Sequence, residues 1–153
     1  MKTLKLLIMI CIVLPVMADF DNWSPTIGIK LTTPQKMSLS LGISGTSWGR
    51  LFGSDSGILI RLEPGLSGGK LHLGTRHTFS MVLIPILSMD ICASVMYTWN
   101  NPWAGMENDQ TYIGSELQFG AHLLVVSAGL FRHVAGGDEY HNWVFSTGAG
   151  LGF

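Results

Sequence analysis

The chain has 153 residues, 47% of them hydrophobic, with a formal net charge of −1. Only 12% are charged, against about 25% in a typical water-soluble domain, and no basic surplus points to nucleic acid. Two cysteines, Cys11 and Cys92, are too few for a disulfide framework or a cysteine-rich zinc site.

The N-terminal stretch "MKTLKLLIMICIVLPVMADF" places Lys2 and Lys5 before an apolar run from Leu6 to Val16 and then Met17 and Ala18. This is the layout of a secretory signal peptide, so residues 1–18 are expected to be removed and residues 19–153 to form one domain. The apolar run is too short for a comfortable transmembrane helix, and no later uninterrupted run reaches about 18 apolar residues. A chain this apolar without a helical span has one other route into lipid, a closed β-barrel.

Strands are expected near 25–32, 36–46, 56–66, 69–84, 88–99, 111–120, 122–132 and 141–153. In "TIGIKLT", Ile27, Ile29 and Leu31 share one face, opposite Gly28 and Lys30. In "KMSLSLGIS", Met37, Leu39, Leu41 and Ile43 oppose serines and Gly42. In "KLHLGTRHTFSMVL", Leu71, Leu73, Phe79, Met81 and Leu83 oppose Lys70, His72, Gly74, Arg76 and Ser80. In "ICASVMYTW", Ile91, Ala93, Val95, Tyr97 and Trp99 oppose Cys92, Ser94 and Thr98. A period of two is the strand period, whereas a helix would put lysine and leucine on one stripe. The apolar parity is odd at Leu117 and Phe119 and even at Leu124, Val126 and Leu130, which predicts a turn near Gly120.

"NNPWAGMENDQ" and "HVAGGDEYH" read as loops. In a barrel that starts at the periplasmic side, the odd connections should be the longer, extracellular ones. The fifth and seventh fit, but the first, "TPQ", is short and the second, "GTSWGRLFGSDS", is long. "LIPILSMD" carries no decisive turn signal.

One greasy face and one small or polar face fit either of two barrels. A soluble, lipocalin-like one turns the apolar face inward. A membrane one turns it outward and points polar residues into the lumen. In "NWVFSTGAGLGF", Trp143, Phe145, Thr147, Ala149, Leu151 and Phe153 share a face. This segment resembles the C-terminal strand of bacterial outer-membrane barrels, where it is the signal read by the barrel assembly machinery. The resemblance implies an all-β, antiparallel up-and-down transmembrane barrel of about eight strands, OmpA-like or OmpX-like. It would sit in the outer membrane of a Gram-negative bacterium, with lipid and the assembly machinery as partners. Trp143, Phe145, Leu151 and Phe153 would form the assembly signal. The role implied is structural, adhesive or loop-mediated. A lipid-modifying outer-membrane enzyme is the runner-up, and a soluble periplasmic ligand-binding barrel is a further alternative.

Arg61, Glu63, Lys70, His72, Arg76, Glu116 and His122 fall on lumen-facing phases or near strand ends. In a narrow barrel they are expected to pair and pack; a proton relay or polar conduit is the functional alternative. Trp23, Trp99, Trp103, Tyr112, Tyr140 and Trp143 cluster at strand ends, as an interfacial girdle would. His133, Asp138, Glu139 and His141 form a charged loop cluster, either solvated or a cation-binding or interaction site. "FRHVAGGDEYH" is similar to the surroundings of the catalytic histidine in outer-membrane lipid A deacylases. That family places a serine two residues after the histidine; Ala135 stands there here, so the nucleophile is missing. "GLSGG", "GTSWG" and "GAGLG" lack the Lys-Ser/Thr pair of a phosphate loop. No catalytic set, metal or cofactor is expected.

Overall fold

The computed structural model describes residues 23–51, 54–79, 87–103, 105–137 and 141–152, with the side chains of 46–51 and 54–55 left out. The expected signal peptide, Asp138, Glu139, Tyr140, Phe153 and the stretch 80–86 lie outside the described residues.

Eight antiparallel strands form a closed barrel in sequence order: β1 (Trp23–Thr32), β2 (Lys36–Leu51), β3 (Ser54–Gly65), β4 (Gly68–Phe79), β5 (Leu87–Thr98), β6 (Thr111–Ala121), β7 (Leu124–Ala135) and β8 (Trp143–Gly152). β1 pairs with β8 to close the ring, in a register running from Gly28↔Gly152 to Thr32↔Gly148. Closure gives every strand two neighbours and removes the exposed edges that an open sheet would present.

The stretch "GTSWGRLFGSDS", expected as a long loop, is mostly strand. β2 runs on to Leu51 and β3 begins at Ser54. The ladder is irregular between Thr46 and Trp48 and again between Trp48 and Leu51. Bulges of this kind let a Gly/Ser-rich segment stay paired while it twists. The second connection is therefore short, although the first, 33–35, is short as well. β3–β4 is joined by 66–67 and β6–β7 by 122–123, while 99–110 and 136–142 are long. The change of parity falls at the two-residue β6–β7 turn, where His122 has φ 54°.

The faces are sorted by polarity. Leu31 is 61% and Phe145 65% exposed on the outside, while Lys30 is 2% and Glu63 0% exposed within. Leu39, Leu73, Ile91, Leu117 and Leu130 join the exposed apolar exterior; Ile43, on the same phase, is buried. The interior has two layers. One is an apolar cluster of Met96, Met106, Tyr112, Phe131 and Val144, which includes Met106 from the 99–110 connection. The other layer is ionic.

Tyr112, expected in the girdle, is fully buried in the apolar layer. It lies on the inward parity of β6 with Glu116 and Gln118, and an aromatic near a strand end reads the same way for either face. Trp103 and Trp143 are exposed, and Trp23 and Trp99 half-buried. Glycine lines the inner face of β8 beside the seam. A Cβ on Gly150 would run into the Ile29 carbonyl and come within 2.8 Å of Lys30 Cγ, so the missing side chain makes room for that lysine.

Candidate functional site

The alternation that exposes Ile29 and Leu31 turns Lys30 inward from β1. β3 contributes Arg61 and Glu63, β4 Lys70, His72 and Arg76, β5 Asp90, and β6 Glu116 and Gln118. The ladders place Arg61 opposite His72 and Glu63 opposite Lys70. They also place Arg76 opposite Asp90 and Asp90 opposite Gln118.

Three carboxylates organise the layer. Glu63 Oε1 lies 2.5 Å from Lys30 Nζ and 2.9 Å from Arg61 Nε. Glu116 Oε2 is 2.6 Å from Lys70 Nζ, and its Oε1 is 3.6 Å from Lys30 Nζ. Asp90 accepts from Arg61 Nη1 at 2.7 Å, from Arg76 Nε and Nη2 at 2.8 and 2.9 Å, and from Gln118 at 3.1 Å. Lys30 donates to Gln118 Oε1 at 3.0 Å. Lys70 donates to Ser146 Oγ at 2.7 Å and sits 5.2 Å from the Phe131 ring centroid, which couples the two layers. Unpaired, each of these ions would cost several kcal/mol to bury; shared contacts and hydrogen bonds offset that cost.

Of the lumen residues singled out by parity, Arg61, Glu63, Lys70, His72 and Glu116 are buried together. Arg76 stands at the edge of the network, its side chain 17% exposed. His122 does not join them: it is exposed on the β6–β7 turn, because the turn carries it beyond the last inward position of β6. Sequence reasoning passed over Lys30, Asp90 and Gln118. The signal for each was the parity already used for its strand: Lys30 lies between Ile29 and Leu31, Asp90 is in phase with Cys92 and Ser94, and Gln118 with Glu116.

Of the expected loop cluster, Asp138 and Glu139 lie outside the described residues. β7 continues to Ala135, and His133 sits within it. Its Nε2 is 2.7 Å from Gln110 Oε1, and its ring packs edge-on against Tyr112 with centroids 5.3 Å apart. His141 is exposed. On β8, Trp143, Phe145 and Leu151 of the expected assembly signal all face outward and are exposed.

Two arrangements in the interior imitate reactive chemistry. Ligand atoms of Glu63, His72 and Glu116 lie within 4.8 Å of one another. Lys30, Arg61 and Lys70 already face those carboxylates, so a divalent cation would have to compete with three resident cations. Ser94 Oγ is 2.7 Å from His72 Nδ1, and His72 Nε2 is 3.6 Å from Glu63 Oε2. That is the connectivity of a nucleophile, base and carboxylate. Neither Ser94 nor His72 lines the large cavity of about 370 Å³ at the other side of the network, and both are buried, so no substrate carbonyl can approach.

That cavity is a vestibule between the ionic layer and the barrel end that carries the β6–β7 turn and Gly152. Lys30, Arg61, Arg76, Gln118 and His122 are among its lining residues. Among the described residues, the ionic layer and the apolar layer block the interior, and the vestibule lies beyond the ionic layer. No protein-family model, curated protein or solved structure significantly matches this chain.

Proposed function

We propose that this chain is a small outer-membrane β-barrel whose closed interior serves as a structural plug, leaving its role to scaffold the membrane or to interact through its loops. The observation that carries the reading is the polarity of the wall. Exposed leucine, isoleucine, valine and phenylalanine cover the outside, while seven charged side chains, Lys30, Arg61, Glu63, Lys70, Arg76, Asp90 and Glu116, sit within. A soluble binding barrel needs the reverse arrangement, and water offers no compensation for so much exposed apolar surface. The signal-peptide pattern of residues 1–18 and the alternating β8 segment support an outer-membrane address.

The loop-mediated role is favoured by the 99–110 connection. It is held by hydrogen bonds from Trp103 N to the Pro34 carbonyl at 3.0 Å and from Asn101 N to Asn108 Oδ1 at 2.8 Å. Tyr97 also donates to Asp109 at 2.6 Å. Trp103 remains 46% exposed on it, an ordered aromatic available to a partner. The test is fractionation after expression in a Gram-negative host, together with mobility on detergent gels before and after boiling. Outer-membrane recovery and a heat-dependent mobility shift are expected; recovery as a soluble periplasmic protein would overturn the reading.

A further inference from the structure

We infer that the vestibule is a binding site for a small oxyanion, of the class of inorganic phosphate or a phosphate monoester. Three observations converge there. First, the described interior side chains carry four cations, Lys30, Arg61, Lys70 and Arg76, against three carboxylates, Glu63, Asp90 and Glu116. Lys30, Arg61 and Arg76 line the vestibule, and none of its described lining residues is a carboxylate.

Second, donor capacity is left over. Asp90 takes Nε and Nη2 of Arg76, which leaves Nη1 uncommitted among the described residues, on a side chain still 17% exposed. Arg61 is 1% exposed, and its Nη2 makes no hydrogen bond, with Glu116 Oε1 3.9 Å away; Thr26 Oγ1, on another lining residue, is buried without a hydrogen-bond partner. Buried donors without partners are rare because each costs its desolvation energy.

Third, the remaining polar lining can donate. Thr78, Ser88, Gln118 and His122 surround the space, and a cavity of about 370 Å³ lies within the usual size range of small-ligand sites. A guanidinium edge beside hydroxyl and amide donors fits a tetrahedral oxyanion, since two parallel N–H bonds match two of its oxygens. The vestibule lies inside the barrel, whichever membrane holds it.

The same chemistry has two sources, free phosphate and the phosphomonoester headgroup of a lipid. The test uses the whole barrel folded in a non-ionic detergent. Inorganic phosphate is titrated at constant ionic strength against chloride, with calorimetry and the unfolding temperature as readouts. A parallel titration uses short-chain phosphatidic acid. Saturable phosphate binding is expected, weakened about tenfold or more by Arg76→Gln through loss of a charge-assisted fork and unaffected by Lys36→Gln at the opposite end. Displacement of phosphate by phosphatidic acid would assign the site to a headgroup, and its absence would assign it to the free ion. Lack of saturable phosphate binding, or equal affinity in Arg76→Gln, overturns the inference. Should Arg76→Gln fail to fold, the double variant Thr78→Val, His122→Gln lies outside the ion network, and unchanged affinity there overturns it equally.

Discussion

Lys30 on β1 and Glu63 on β3 meet at 2.5 Å inside the barrel although β2 lies between their strands. Both are fully enclosed, and Arg61 shares the same carboxylate at 2.9 Å. Glu63 therefore neutralises two cations at once. Glu63→Gln should be the most damaging single change in this layer, costing about 3–5 kcal/mol by stranding buried positive charge. Lys30→Met should cost less, because Glu63 keeps Arg61. Urea unfolding of the barrel in lipid vesicles measures both, and a larger loss for Lys30→Met would contradict this ordering.

The wall makes a second test possible. Leu73 is 58% exposed near the middle of β4. Leu73→Arg should destabilise the barrel by about 2–4 kcal/mol in a bilayer, where the guanidinium meets hydrocarbon. The same change on a barrel surrounded by water would relieve an apolar patch and leave stability almost unaltered. Comparing its effect in lipid vesicles with that in a loosely packed detergent micelle separates the two situations.

Conduction is expected to be absent. The apolar layer and the ionic layer block the lumen in series, so planar-bilayer recordings should show no steady current. Phe131→Ala should cost about 3–5 kcal/mol through the cavity it leaves but still give a non-conducting barrel, because the Glu63 and Glu116 pairs below it remain. A steady current through the unaltered protein would show that these layers part in the membrane.

Among the described residues, the seam between β1 and β8 is the shortest ladder in the ring, with five register pairs from Gly28↔Gly152 to Thr32↔Gly148. Gly150→Val would place a branched side chain against the Ile29 backbone and the Lys30 stem. It should abolish the heat-dependent gel mobility of the closed form. Ala149→Val, on the exposed outer face of the same strand, should fold normally. Equal behaviour of the two would remove close packing at Gly150 as the reason for glycine there.

Alternation is a local property, and the chain carried it openly. The eight strands, the change of parity between Phe119 and Leu124, and the inward placement of Glu63, Lys70 and Glu116 all follow from counting by two, because successive side chains on a strand must point to opposite faces. Lys30, Asp90 and Gln118 were legible by the same count. Local pattern could not show that "GTSWGRLFGSDS" stays paired, since glycine and serine there suit a loop or a bulged ladder equally well. Nor could it show that Tyr112 turns inward to Met96 and Phe131 rather than outward to a girdle. The partners within the ionic layer were decided by closure alone. Which cation reaches which carboxylate depends on the stagger of all eight strands around the ring, and that stagger becomes fixed only when β1 pairs with β8.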